Sequence, residues 1–170
     1  MTWLEAHVAC EQYCSELAYL DSTDEAKKVA LEIKGLMKQL NYVPDDYLTP
    51  AGEKKYEYGL DRRYWIGLND LDKEGTWMWT GKNRTLDYDF WYPKQPDHNN
   101  NPLSNGKYNT IGEHCVVFWY PTFYTKSDTE FPTWNDEPCD NKHYAICDEP
   151  LLKIKTTKFG RECIPIKKSI

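Results

Sequence analysis

Six cysteines constrain the fold of this 170-residue chain more than any other feature of its sequence. They are Cys10, Cys14, Cys115, Cys139, Cys147 and Cys163. Their number is even and no two form a Cys-x-x-Cys metal pair, so a disulfide framework is predicted, although the sequence alone leaves the pairing open. Together with the sequon at Asn83, a glycosylation signal, the cysteines indicate an oxidising compartment. We expect a secreted protein or one on the extracellular face of the cell surface.

Length and charge indicate one domain followed by a basic extension. The chain can bury a single core, and we place the domain at residues 1–150. Residues 151–170 carry six basic residues against one acidic residue, and a solvated tail is the simplest interpretation. The net charge of −6 argues against nucleic acid as the main partner. No apolar run is long enough to span a membrane, and the chain starts in polar, helix-like sequence, as a processed or trimmed ectodomain would.

Two amphipathic helices are predicted in the N-terminal part of the chain. The first has apolar residues at 3- and 4-residue spacing over residues 3–17, and Thr2 and Glu5 form a capping pair at its start. Residues 21–23 predict a turn and an N-cap for the second helix, whose apolar stripe covers residues 26–40.

Short strands and long connections are predicted from residue 64 onward. The predicted strands cover residues 64–68, 76–80, 116–119 and 143–147. Residues 42–62 are expected to form an exposed insertion, because prolines and a glycine break the helical pattern there. A second, aromatic insertion is expected at residues 120–133. Residues 93–112 contain three prolines and an asparagine cluster, which predicts a long loop of the kind that is usually functional.

Five side chains with carbonyl or carboxylate oxygens are concentrated in the second half of the chain. They are Gln95, Asp97, Glu113, Asn135 and Asp136. Calcium takes several such oxygens at about 2.3–2.6 Å and accepts mixtures of amides and carboxylates. Zinc would need histidine or cysteine ligands, and the four histidines share no ligand spacing. The sequence therefore predicts a calcium site, and such a site can also hold a ligand rich in hydroxyl groups.

Three short motifs carry a resemblance to a known family. Tyr64-Trp65-Ile66-Gly67-Leu68 resembles a WIGL core signature, Trp134-Asn135-Asp136 a WND motif, and Gln95-Pro96-Asp97 a sugar-selecting tripeptide. On these residues the chain resembles a C-type lectin-like domain over residues 2–149. The resemblance implies an α+β fold, in which two helices flank small antiparallel sheets and a long calcium-binding loop region, stapled by disulfides.

The resemblance also implies a pairing for the cysteines. The implied bridges are Cys10–Cys147 and Cys115–Cys139. Cys14 and Cys163 are then left over, and the simplest inference is that they bridge each other and tether the basic extension beside the first helix. The alternative is that one of these two thiols links to a partner chain.

By the same resemblance, the five oxygen-bearing residues are the ligands of the family's principal calcium site. The proline of the tripeptide is typically cis in this family, which implies a cis peptide bond before Pro96. A sugar hydroxyl bound to calcium donates its proton to a carboxylate and accepts from an amide, so the order of acid and amide selects the hydroxyl pair. The Gln-Pro-Asp order implies galactose or N-acetylgalactosamine rather than mannose. The residues expected to contact the sugar are Gln95, Asp97, Glu113, Asn135, His98 and Tyr108.

The chain departs from the galactose-type pattern beside the tripeptide. Such sites usually have a tryptophan just after it, under the apolar face of the sugar, and here His98 follows. Stacking could come from His98, Tyr108 or Trp119, although Trp119 is expected to pack in the core. A weak or relaxed sugar preference is compatible with this departure.

A second, auxiliary calcium site is only partly matched. Asp70 and Glu74 occupy two of its positions, but the two remaining positions fall at His98 and His114, and histidines are poor calcium ligands. We expect either no auxiliary ion or a weakly bound one. The alternative is that Asp70 and Glu74 are polar residues in a turn.

The predicted function is calcium-dependent binding of glycans or glycoproteins with terminal galactose or N-acetylgalactosamine. The alternative is a protein-recognition domain in which calcium is only structural and the insertions at 42–62 and 120–133 contact the partner. An enzyme is not supported, because no nucleophile–base pair has recognisable spacing. Single sugar sites bind weakly, so we expect avidity through an oligomer or a larger assembly.

Overall fold

The computed structural model describes residues 1–39, 63–98, 112–119, 132–148, 152–157 and 160–165. The predicted insertion at 42–62, most of the predicted insertion at 120–133, and Tyr108 lie outside the described residues. Among the helices of the described residues, none is both long enough and apolar enough to cross a membrane.

Helix α1 (Trp3–Gln12) begins with the capping box that the sequence predicts. The Thr2 hydroxyl accepts a hydrogen bond from the Glu5 N–H at 3.2 Å, and the Glu5 carboxylate accepts one from the Thr2 N–H at 2.9 Å. Each side chain thereby satisfies a backbone donor that the first turn of a helix leaves unpaired. The predicted start of the helix is confirmed.

The predicted end of the first helix is wrong, because α1 stops at Gln12 rather than near residue 17. Cys14 has a φ of +60°, which lies in the left-handed region and cannot continue a right-handed helix. Leu17 then forms an antiparallel bridge with Cys147 and is buried in the core. Leu17 therefore continues the apolar spacing of the helix in the sequence, although the chain is extended at this residue.

Helix α2 (Thr23–Gln39) is the amphipathic helix that the sequence predicts. The Ser22 hydroxyl accepts a hydrogen bond from the Glu25 N–H at 3.3 Å, and the Glu25 carboxylate accepts one from the Asp21 N–H at 2.8 Å. The buried face of the helix includes Ala26, Ala30 and Ile33, which pack against the sheet as part of the larger core cluster. Small residues on this face let the helix approach the sheet closely.

The main sheet has six strands in the order β3-β2-β1-β4-β5, with β6 pairing in parallel with the first half of β1. The strands are β1 (Tyr64–Asn69), β2 (Met78–Trp79), β3 (Arg84–Thr85), β4 (Cys115–Trp119), β5 (Thr133–Glu137) and β6 (Tyr144–Ala145). All pairs except β1 with β6 are antiparallel. The predicted strands at 64–68 and 116–119 are confirmed, whereas those at 76–80 and 143–147 shrink to two residues each.

The aromatic residues form the centre of the molecule around Trp134, which is fully buried. Its ring meets five other aromatic rings at centroid distances of 5.4 to 6.3 Å. These rings belong to Trp79, Tyr88, Phe90, Trp91 and Phe118. Edge-to-face contacts of this kind stabilise beyond the area they bury. Tryptophan and the other aromatic residues thus form a large part of the packed core.

Three disulfides close the fold, and they are the pairs that the resemblance and the elimination implied. They join Cys10 to Cys147, Cys115 to Cys139 and Cys14 to Cys163. Hydrogen bonds join the same two parts of the chain as the Cys10–Cys147 disulfide, because Met1 and His143 exchange two backbone hydrogen bonds of 2.8 and 2.9 Å. The first and last parts of the domain are therefore held together both covalently and by hydrogen bonds.

The basic extension forms a β-hairpin rather than a tail without regular structure. Strands β7 (Leu152–Thr157) and β8 (Gly160–Pro165) pair in antiparallel register, with Ile154 opposite Cys163. Several of their residues are β-branched, which favours extended backbone. The Cys14–Cys163 bridge ties this hairpin to the residues that follow α1.

Candidate functional site

The sheet positions the predicted tripeptide beside the WND motif. Trp91 forms a parallel bridge with Trp134, and the Tyr92 N–H donates to the Trp134 carbonyl at 2.8 Å. The Gln95 N–H then donates to the Tyr92 carbonyl at 2.9 Å, which closes a tight turn. We call residues 95–98 the ligand loop. The segment just before this loop is hydrogen-bonded to Trp134 on β5, next to Asn135.

The ligand loop is held in an unusual conformation by Asp136. The peptide bond between Gln95 and Pro96 is cis, as the resemblance implied, and His98 has a φ of +45°. The two carboxylate oxygens of Asp136 accept hydrogen bonds from the backbone N–H groups of Asp97 at 3.2 Å and His98 at 2.8 Å. These charge-assisted bonds offset the cost of a left-handed backbone at His98.

Three of the predicted calcium ligands come together in space. Asp97, Glu113 and Asp136 each offer a carboxylate oxygen, and these oxygens all lie within 4.8 Å of one another. Calcium–oxygen bonds are about 2.3–2.6 Å, so oxygens across one coordination sphere are about 5 Å apart. One calcium ion fits this cluster of carboxylates.

The two predicted amide ligands are also consistent with a metal site. The side-chain oxygen of Gln95 is shielded from solvent, and no described residue donates a hydrogen bond to it. Asn135 directs its Nδ2 inward, donating to the Asp136 carbonyl at 2.7 Å and to the Glu137 carboxylate at 3.2 Å. The Oδ1 atom of Asn135 is therefore the atom available to a cation. A buried amide oxygen without a donor is costly unless a ligand satisfies it.

Glu137 orients this amide, and the sequence analysis missed it. The Glu137 carboxylate is buried, forms an ion pair with Arg63, and accepts a hydrogen bond from the Asn141 amide at 2.6 Å. Residues two apart on a strand share a face, so the strand assignment of β5 could have placed Asn135 and Glu137 side by side. No sequence signal pointed to Arg63.

The electrostatics of the carboxylate cluster favour a cation. Burial raises the pKa of the Asp136 carboxyl above its ordinary value, and the neighbouring Asp97 charge adds to the rise, whereas the N–H groups of His98 and Asp97 oppose it. The ionised carboxylate is thus held in an environment that penalises negative charge. A bound dication would remove that penalty.

The auxiliary positions are brought together with two histidines. His114 Nδ1 lies 2.9 Å from Asp70 Oδ1 and 3.3 Å from Glu74 Oε2, and His98 Nδ1 lies 3.0 Å from the same Glu74 oxygen. Asp70 is almost completely buried, and its second oxygen accepts from the Gly75 N–H at 2.7 Å. Asp70 and Glu74 do lie at a turn, as the alternative interpretation had it, but both also face histidine nitrogens.

The candidates for sugar stacking are engaged elsewhere or outside the described residues. The His98 ring lies 5.1 Å from the His114 ring, on the side of Glu74. Trp119 is half-buried rather than fully in the core, with the Tyr92 ring at 4.8 Å and the Arg63 guanidinium at 5.5 Å. Tyr108 falls outside the described residues.

The predicted glycosylation residue lies on the surface. Asn83 is exposed in the turn that joins β2 to β3, with a φ of +44°. A glycan there would extend from a tight turn, where its attachment disturbs no packed residue.

Comparison with known proteins identifies the family. The sequence profile of the Lectin C-type domain matches residues 1–149. The C-type lectin BfL-2 of Bungarus fasciatus is 36% identical over 153 residues, which cover 86% of this chain and 69% of the relative. The C-type lectin BML-2 of Bungarus multicinctus is 30% identical over 153 residues, with the same shares covered.

Among solved structures, the herring type II antifreeze protein has the same fold. It superposes with a TM-score of 0.52 at 23% identity, covering 89% of this chain and 84% of that protein. At this identity the likeness concerns the fold alone. The fold, the disulfides and the match over nearly nine-tenths of the sequence lead to one conclusion: the chain belongs to the C-type lectin domain family.

Proposed function

We propose that the domain binds carbohydrate through a calcium ion, with a preference for galactose or N-acetylgalactosamine. The observation that carries this proposal is the convergence of the Asp97, Glu113 and Asp136 carboxylates within 4.8 Å. The shielded Gln95 oxygen and the oriented Asn135 amide supply two neutral ligands beside them. C-type lectin domains are binding proteins rather than enzymes, so we assign no catalytic residue.

The sugar preference rests on which end of the tripeptide carries the charge. A hydroxyl on calcium becomes a better proton donor and needs one acceptor and one donor nearby. Asp97 can only accept when ionised, whereas the Gln95 amide can also donate. Their order fixes the direction in which a pair of neighbouring hydroxyls must lie across the ion, and exchanging the two residues would reverse it.

The partners and the location follow from the same features. We infer glycans or glycoproteins as partners, and an oxidising, extracellular location, from the metal-ligand set and the three disulfides. We place the carbohydrate-recognition domain at residues 1–150 and the hairpin extension at 151–170, with Asn83 as a glycosylation site. Multivalent presentation would compensate for weak binding at one site.

A second candidate function is protein recognition with a structural calcium. The contacts of the two described candidates for sugar stacking favour it. His98 faces Glu74, and Trp119 is in contact with Tyr92 and Arg63, so neither ring is presented to a sugar. Without a stacking face, a sugar would rely on its coordinating hydroxyls and would lose about 1 kcal/mol or more of binding free energy.

Calorimetry with a matched pair of variants separates these functions. Calcium is titrated first, and galactose and mannose are then titrated into the calcium-loaded protein. We expect calcium binding, and galactose ahead of mannose. In the double variant Gln95→Glu with Asp97→Asn, the ranking should reverse while calcium still binds.

Asp87→Asn is the control for this exchange, because Asp87 is an exposed carboxylate paired with Arg84 and should leave both titrations unchanged. A calcium response without any sugar response would favour protein recognition. An unchanged sugar ranking in the double variant would refute the orientation argument.

A further inference from the structure

We propose that Glu74, His98 and His114, together with Asp70, form a second metal site that takes zinc rather than calcium. Glu74, His98 and His114 each offer one ligand atom, and these atoms all lie within 4.8 Å of one another. The site shares no ligand with the calcium cluster of the proposed function. Zinc binding can therefore be tested separately from calcium binding.

The distances within the cluster match the spacing of ligands around a small cation. Glu74 Oε2 lies 3.0 Å from His98 Nδ1 and 3.3 Å from His114 Nδ1. Two ligands of a tetrahedral zinc with bonds of about 2.0–2.1 Å are about 3.3 Å apart. A single ion could consequently bridge these atoms.

Asp70 supplies the fourth group, and it is fixed in place. Its Oδ1 lies 2.9 Å from His114 Nδ1, and its Oδ2 is held by the Gly75 N–H at 2.7 Å. If the ion binds His114 Nδ1, Asp70 is a further ligand beside it; if the ion binds His114 Nε2, Asp70 holds the ring through Nδ1 as an outer partner. The two carboxylates also balance the charge of a dication.

The donor set distinguishes zinc from calcium. Calcium takes six to eight oxygen ligands, whereas two imidazoles with one or two carboxylates suit zinc and related transition metals. The His98 Nδ1 atom is shielded from solvent and makes no hydrogen bond of good geometry with a described residue, although the Glu74 oxygen is close. A metal bond would satisfy this nitrogen.

Gly112 makes room for the two imidazole rings. It has a φ of +80°, and a Cβ added there would lie 2.3 Å from the His98 ring and 2.9 Å from His114 Nε2. Any larger residue would push the rings apart. Residue spacing alone did not reveal this cluster; only the family resemblance placed Asp70, Glu74, His98 and His114 at one auxiliary site.

The test is a zinc titration by calorimetry into the full chain, once without calcium and once with saturating calcium. We expect one equivalent of zinc in both. Glu74→Ala and His114→Ala should each weaken zinc binding at least tenfold, with calcium binding retained. Circular dichroism checks that both variants keep the fold.

His7→Ala is the matched control. His7 is also a histidine beside a carboxylate, with Nε2 at 3.5 Å from Glu11, but it lies on α1 away from the cluster. Its removal should leave zinc affinity unchanged. Cobalt offers a second readout, since its visible absorption should report tetrahedral coordination with nitrogen ligands in the wild type and lose that signature in His114→Ala.

Three results would overturn the proposal. The first is zinc affinity that both cluster variants leave intact. The second is zinc binding that saturating calcium abolishes, which would assign the ion to the calcium cluster. The third is loss of zinc binding in His7→Ala alone.

Discussion

At the scale of the residue, Asp136 does two things with the same two oxygens. They accept hydrogen bonds from the backbone of Asp97 and His98, which holds the ligand loop against β5, and the same carboxylate contributes an oxygen to the carboxylate cluster. The loop is therefore held in place before any cation arrives. A preorganised site loses less conformational entropy on binding than one that must be assembled.

Replacing Asp136 by Asn should abolish calcium binding at millimolar concentration. The change keeps the size of the side chain but removes one buried negative charge from the cluster. Calcium at about 100 times its Kd should stabilise the wild type by about 2.7 kcal/mol, and this gain should be absent in the variant. Thermal unfolding with and without calcium measures it, and a calcium-dependent rise in Tm that survives in Asp136→Asn would contradict the assignment.

As pH is lowered, calcium affinity should begin to fall at a higher pH than it would for a site with an ordinary aspartate. Burial raises the folded-state pKa of Asp136 above its unfolded value, so protons compete for this carboxylate at a higher pH than usual. Below that pKa the affinity should drop about tenfold per pH unit for one displaced proton. Calcium titrations between about pH 7 and pH 4 test this, because an affinity that stays constant down to the ordinary aspartate pKa would exclude it.

The same pKa shift has the opposite effect on the calcium-free protein. A raised folded-state pKa means that the ionised Asp136 costs folding free energy at neutral pH. The protonated carboxyl does not carry this cost. The calcium-free protein therefore has its full stability below the unfolded pKa of Asp136, and it loses part of that stability as pH rises through the folded pKa. Acid should consequently weaken calcium binding while relieving this one unfavourable charge.

Glu137 is predicted to act on calcium through Asn135. Glu137→Gln removes the charge that pairs with Arg63 and weakens the acceptor that orients the Asn135 amide. Changes to such outer partners typically cost about 10–100-fold in metal affinity. Calorimetry of Glu137→Gln against Asp140→Asn, an exposed carboxylate nearby, measures the effect. Equal affinities in the two variants would count against this positioning role.

At the scale of the element, patterns predicted strands buried on both faces better than elements fixed by distant partners. The apolar runs in β1 and β4 were sufficient, because consecutive residues at the centre of each strand are buried. The end of α1 was predicted wrongly, because Leu17 lies at a helical spacing from the residues before it. Leu17 is instead buried in extended chain, where it forms a bridge with Cys147. The hairpin of β7 and β8 was hidden by its lysines, which suggested a solvated tail.

The bridge between Cys14 and Cys163 should stabilise less than its sequence separation of 149 residues suggests. With Cys10–Cys147 intact, the additional loop it closes contains only about 20 residues, worth about 3 kcal/mol in the chain-entropy model. The double variant Cys14→Ser with Cys163→Ser should lose about that much in urea unfolding and keep its calcium affinity. A loss near 5 kcal/mol, or an altered calcium affinity, would show that the hairpin supports the domain in another way.

At the scale of the whole molecule, the candidate site was predictable where its residues lie in short motifs. Gln95, Asp97, Asn135 and Asp136 were found because each pair is close in sequence. Arg63 and Glu137 were missed because 74 positions separate them and only the fold makes them neighbours. His98 and His114 share no ligand spacing in the sequence, and only the family resemblance placed them at one site before the fold made them neighbours.

The covalent tie from Cys10 to Cys147 also determines how the molecule would carry mechanical tension. A pull between Met1 and Asp148 first strains the Met1–His143 hydrogen bonds and α1, and it then passes across the disulfide. Residues 11–146 form a closed loop outside that load path, and the ligand loop lies within it. A pull applied at these two residues would leave the proposed calcium ligands relaxed for as long as either Cys10–Cys147 or Cys14–Cys163 stays oxidised.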